Sequence, residues 1–88
     1  MIATFGTGAI KSISKLKNDG KADVCELIIS VDNNIDLPFK VWSSAAIHMS
    51  SNLTVGDKLT FEASPRKENN ELFFKIVSYV PHESNRNI

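Results

Sequence analysis

Apolar and polar residues alternate with a period of two along most of this chain, in short runs separated by turn-forming residues. That alternation restricts it to a small all-β fold. It is clearest from Asp23 onward, where Cys25, Leu27, Ile29 and Val31 face one way and Val24, Glu26, Ile28, Ser30 and Asp32 the other. One face is therefore wholly apolar and the other mixed. Leu59, Phe61 and Ala63 alternate in the same way with Lys58, Thr60 and Glu62. A last run, Leu72 to Val80, puts Leu72, Phe74, Ile76, Ser78 and Val80 on one face and Phe73, Lys75, Val77 and Tyr79 on the other. A chain of 88 residues supports one such core and leaves no room for a second domain.

Two more runs complete the set. Ile2 to Ile13 is rich in β-branched residues, and Gly6 and Gly8 share a face with Ile10, which predicts a bulge, a bend or a close backbone approach. Leu37 to Trp42 reads as a strand with Pro38 near its start. Between the runs lie a basic turn, Lys15 to Lys21, the turn cluster Asp32-Asn33-Asn34, the turn Val55-Gly56-Asp57, and a second polar loop, Ser64 to Asn70. Ser43 to Ser50 is the one plausible helix, with Ser43 or Ser44 as its cap. Five strands with a short helix between the third and fourth is the order of an OB-fold barrel, expected over residues 1–81 as a single domain with a polar tail at 82–88. The residues alone leave an SH3-like barrel and a short sandwich open.

Ten Lys+Arg balance ten Asp+Glu, so there is no global basic excess to announce a nucleic-acid partner, and any such function must come from where the charges sit. At 42% hydrophobic and 23% charged, the composition is that of a folded globular chain. The single cysteine, Cys25, excludes an intrachain disulfide and a thiolate zinc site built from this chain, and its strand neighbours make it a small core hydrophobe. Neither a signal peptide nor an apolar run long enough to span a bilayer is evident, so a cytoplasmic, reducing setting without membrane contact is expected.

Four segments resemble the bacterial single-stranded-DNA-binding protein superfamily, including its short relative, primosomal replication protein B. They are the first strand with Gly8-Ala9-Ile10, Gly20 followed by Leu27 to Val31, Trp42 ahead of a short helix and then Leu53 to Glu62, and Leu72 to Val80. Together they cover Ala3 to Pro81. The near-neutral end of this chain differs from the acidic recruiting tail of the longer members, and points to the short, dimer-forming relatives or to a phage- or plasmid-type protein. Where the family often places a tryptophan at the start of the third strand, this chain has Asp36 and Leu37.

The resemblance implies an OB-fold module that binds single-stranded DNA, or RNA, without sequence preference. Cations along the backbone and aromatic rings under the bases are the chemistry such binding needs. Lys15, Lys17 and Lys21 in the first loop and Arg66 and Lys67 in the second are expected to neutralise phosphates. Trp42 and Phe73 are expected to stack bases, with Lys40 and Lys75 lining the groove between. Other roles compete: Trp42 as a ring plugging the barrel end, Phe73 as a dimer contact, and each lysine as solvated surface charge. Phe61 and Phe74 read as core, Phe5 as core or packed beside Gly6, and Phe39 and Tyr79 as packing or interface residues.

Catalysis has little support. His48 and His82 lack nucleophile or acid partners, the carboxylates are scattered, and Gly6 and Gly8 lack the third glycine and helix of a phosphate loop. No enzyme activity, cofactor or metal is expected. The chain is expected to act as a homodimer or higher homo-oligomer in DNA replication, repair or restart, alongside replication proteins. The competing function is an OB-fold protein-interaction adaptor within a replication complex.

Overall fold

A computed structural model describes residues 4–32 and 34–82. The start of the first run, Asn33 of the expected turn, the Phe5 side chain and residues 83–88 of the expected tail lie outside the described residues. The elements run β1 (Thr4–Ile13), β2 (Lys17–Asn18), β3 (Asp23–Val31), β4 (Ile35–Trp42), α1 (Ser43–Asn52), β5 (Lys58–Glu68) and β6 (Glu71–Pro81). The strand order is β1-β5-β6-β4-β3-β2, and a further β1–β3 pairing closes five of the six strands into a ring. This is the expected five-stranded OB-fold barrel, with α1 between its third and fourth barrel strands. The two-residue β2 is an addition to it, formed where the basic turn pairs Lys17 with Val24 and Asn18 with Asp23.

The core follows the alternation in β3 and β5. Cys25, Leu27, Ile29, Leu59, Phe61 and Ala63 are buried, joined by Ile10, Phe39, Val41 and Ile76. Phe39 sits at its centre, edge-on to Phe61 at 4.8 Å and tilted against Phe74 at 5.4 Å. Ala46 and Met49 of α1 enter the same core and close one end of the barrel against β3 and β4. Cys25 donates to the Ser14 carbonyl at 3.4 Å, and burial pushes its thiol pKa up, which disfavours a reactive thiolate.

Four local expectations change. The α1 N-cap is Trp42, with no side-chain cap bond, and Ser43 turns the chain from strand to helix at φ 62° instead of capping it. The predicted loop Ser64 to Asn70 is largely strand: β5 continues to Glu68 and meets β6 through Asn69 and Asn70, at φ 51° and 65°. Two positive-φ residues between paired strands are the geometry of a tight primed hairpin turn, which asparagine tolerates. In β6 the register against β5 shifts between Glu62 and Ala63, leaving Val77 as an extra residue. That bulge resets the phase beyond it, so Tyr79, not Val80, packs on the core and Val80 is exposed; Leu72, opposite Lys67 at the turn end of the hairpin, is exposed as well. A second register shift lies in β1, between Ile10 and Ser12 and not at the glycines, which serve close approach instead.

Candidate nucleic-acid interface

On the outer face of β3 and β4, Val24 opposes Trp42, Glu26 opposes Lys40 and Ile28 opposes Pro38. The long β5–β6 hairpin bends over this face. Its Phe73 ring lies 5.9 Å from Trp42, tilted by 45°, and takes the Lys40 ammonium at 4.6 Å from its centroid. Phe73, expected as an open ring for stacking or for a dimer, is instead 2% exposed beneath these neighbours, outside the main core cluster.

A shallow groove of about 310 Å³ runs beside the two rings. It is lined by Asp19 and Lys21 from the β2–β3 turn, Trp42 from β4, Arg66 and Glu68 from β5, and Phe73 and Lys75 from β6. Five of the nine sequence-predicted residues thus meet in one place: Lys21, Trp42, Arg66, Phe73 and Lys75. Trp42 is half-buried, and Lys75 stands 5.8 Å from its ring centroid, near the outer limit of a cation–π contact. Lys21, Arg66 and Lys75 enter no ion pair among the described residues.

The remaining four sit elsewhere. Lys40 lies 3.0 Å from Glu71 and 3.6 Å from Glu26, and lines a neighbouring hollow of about 330 Å³ on the other side of Phe73. Burial works against its ammonium, but Glu71 and then Glu26 more than offset that, so its pKa is raised and its charge is spent inside the protein. Lys17 pairs with Glu26 at 3.0 Å. Lys15 lines neither hollow, and Lys67, one step along β5 from Arg66, is turned away by strand alternation. Lys11 of β1, close to the first loop in sequence, pairs with Asp36 at 2.8 Å.

Two carboxylates outside the nine expected residues, Asp19 and Glu68, also line the groove; in the sequence they stand only as acidic neighbours of the loop cations. Asp19 organises the turn: its Oδ1 accepts the amides of Lys21 at 2.9 Å and Ala22 at 3.0 Å, while its Oδ2 accepts the Trp42 indole N–H at 3.1 Å. Gly20, at φ 97° with open space around it, supplies the positive-φ residue of that turn. The Asn18-Asp19-Gly20 string carried the signal, since Asx side chains commonly bond backbone amides two residues on. The Ala22 amide, the Lys21 amide and then the Trp42 N–H hold the Asp19 carboxyl down at about 2. Because the folded pKa lies below the ordinary 3.8, this contribution to stability is complete above pH 3.8 and is lost as pH falls toward 2. In acid unfolding followed by denaturant midpoints, Asp19→Ala is expected to flatten the loss across that window. An unchanged slope would count against the turn.

Among the described residues, no group of three or more His, Cys, Asp or Glu converges as a metal site, and no helix is long and apolar enough to cross a membrane. His48 Nδ1 of α1 lies 2.7 Å from the Tyr79 hydroxyl of β6, and His82 Nε2 lies 2.7 Å from the Thr60 hydroxyl. His82, expected to begin a loose tail, also donates its backbone N–H to the Lys58 carbonyl at 2.8 Å.

The sequence matches no protein-family model and no curated protein. Solved structures do share the fold. The SSB domain of a Synechococcus sp. protein aligns with a TM-score of 0.76 at 13% identity, covering 90% of this chain and 93% of that one. The small single-stranded DNA-binding protein from Streptomyces coelicolor aligns with a TM-score of 0.73 at 11% identity, covering 92% of each chain. At these identities the likeness is one of fold: this chain is an OB-fold barrel built like theirs.

Proposed function

We propose that this chain is a binding module, not an enzyme, and that it holds single-stranded DNA without sequence preference in the groove around Trp42. The observation that carries the reading is the placement of one half-buried indole among three cations, Lys21, Arg66 and Lys75, that come from three separate parts of the chain and enter no ion pair among the described residues. A ring for a base and cations for the flanking phosphates are the two ingredients of sequence-tolerant single-strand binding. Two proteins that share the fold at near-full coverage are an SSB domain and a small single-stranded DNA-binding protein, which supports the reading.

The neutral total charge shapes the expected behaviour. Lys40 and Lys17 are committed to Glu26 and Glu71, so the phosphate contacts narrow to the groove cations. Binding to labelled oligo(dT) is expected to weaken with salt along a log–log slope near −2, about −0.7 for each of the three cations. A slope near zero, or no binding at low salt, would overturn the reading and leave the protein-adaptor function in its place. An oligo(U) competitor in the same assay measures the preference between DNA and RNA.

A homodimer belongs to the same proposal, because one subunit offers only a short groove. Light scattering should then give twice the 9.7 kDa chain mass. Work in replication, repair or restart beside replication proteins, in the manner of the primosomal replication protein B-type members that the sequence resembles, also belongs to it, as does residence in the cytoplasm.

A further inference from the structure

An anion-binding groove with two carboxylates in its wall poses a problem of sign. Asp19 and Glu68 both line the groove, and each should repel a phosphate chain. Their surroundings differ, however. Glu68 stands at the end of β5, exposed, and forms no ion pair among the described residues. Asp19 is bonded through both oxygens, and its Oδ2 accepts the indole N–H of Trp42, 23 positions away in sequence.

Resting on the single-strand reading above, we propose that Asp19 is a positioning residue: it holds the Trp42 indole by its edge, so that the ring's face is already set in the groove when a base arrives. An indole has one polar atom, a donor, and a fixed acceptor for it adds a directional restraint that packing against Phe73 alone does not supply. Tying that atom to a turn fixed by two backbone amides removes the side-chain freedom that stacking would otherwise have to remove on binding. The same turn places Lys21 on the groove wall, so one carboxylate sets both the stacking ring and a cation. The carboxyl stays ionised across the whole physiological range, held down by those same three donors.

The sign of a single substitution decides the matter. Asp19→Asn keeps an oxygen for the Lys21 and Ala22 amides, and so keeps the turn, but it removes the charge and the second acceptor facing the indole. If Asp19 were only a surface carboxylate beside a basic groove, this change would tighten DNA binding. If it positions Trp42, the change weakens binding despite the lost repulsion. Glu68→Gln is the matched comparison, removing a groove carboxylate that is not the acceptor of the indole N–H.

In an oligo(dT) titration at fixed low salt, Asp19→Asn is expected to weaken binding about fivefold, whereas Glu68→Gln tightens it about twofold. The salt slope of Asp19→Asn stays at the wild-type value, because no cation has been lost. In a Trp42→Phe background, which has no indole N–H, Asp19→Asn is expected to tighten binding as Glu68→Gln does. The free proteins supply a second readout: Trp42 is the only tryptophan, and its emission should become more accessible to acrylamide in Asp19→Asn. Tightening by Asp19→Asn in the wild-type background, or unchanged quenching, overturns the inference while leaving single-strand binding intact. Absence of oligo(dT) binding by the wild-type protein overturns both.

Discussion

Replacing Gly8 by alanine is expected to destabilise the barrel by about 3 kcal/mol, the upper range for overpacking a close-packed site. Gly8 and Ala9 are where β1 changes partners, since both pair with β5 and with β3: Gly8 with Leu59 and Val31, Ala9 with Lys58 and Ser30. A Cβ on Gly8 would lie 2.6 Å from Ile29 Cγ2, 2.6 Å from the Ser30 carbonyl oxygen and 2.9 Å from Val31 Cγ1. The Ile29 methyl belongs to a fully buried side chain, and the carbonyl belongs to a strand paired on both sides, so neither yields without breaking the ring closure. Gly6 differs, because its would-be neighbour is the Phe61 ring, at 2.8 Å, and not backbone. Gly20 differs again: it has open space but φ 97°, so alanine there should cost only about 1–2 kcal/mol. Urea unfolding of the three alanine variants should rank them with Gly8 worst. A Gly8→Ala midpoint equal to the wild type would show that β1 does not approach β3 this closely.

Trp42→Ala is expected to weaken oligo(dT) binding by about 1–3 kcal/mol, roughly five- to 150-fold, the range for removing one stacking platform. Its salt slope should not change, because the ring carries no charge. Arg66→Gln supplies the contrast, with a slope shallower by about 0.7 and a penalty that disappears at high salt. Trp42 also covers Phe73 and pairs with Val24 at the edge of β4, so alanine will cost some folding stability. Trp42→Phe keeps a ring there and should recover much of the binding. If Trp42→Ala bound as tightly as the wild type at equal folded fraction, the indole would be packing alone and the bases would lie elsewhere.

How much was legible varied with the distance over which each feature is decided. Strands β3 and β5 could be read residue by residue, because alternation is a local property of an extended chain with one buried face. The phase of β6 could not. A bulge at Val77 slips the alternation by one, and nothing in Lys75-Ile76-Val77-Ser78 marks it, so Val80 was assigned inward and is exposed while Tyr79 packs on the core. The hairpin turn was legible in principle, since Asn69-Asn70 suits two positive-φ positions, but the polar stretch around it looked like a loop. The site residues divided along the same line. Charge and aromaticity marked all nine as candidates. Whether a lysine was free depended on its cross-strand neighbour, and Glu26 lies opposite Lys40 only because of a register set across two strands.

The order of runs, the single helix before the fourth barrel strand and the inward faces of β3 and β5 were therefore determined by sequence, because period, propensity and turn chemistry act over a few residues. The partition of the cations was decided by tertiary structure. So were the burial of Phe73 beneath Trp42 and Lys40 and the reach of Asp19 to an indole 23 positions away. Each of these depends on which strands become neighbours and in what register. A neutral chain keeps a basic groove because folding sets some of its charges against one another and leaves Lys21, Arg66 and Lys75 out of any ion pair among the described residues.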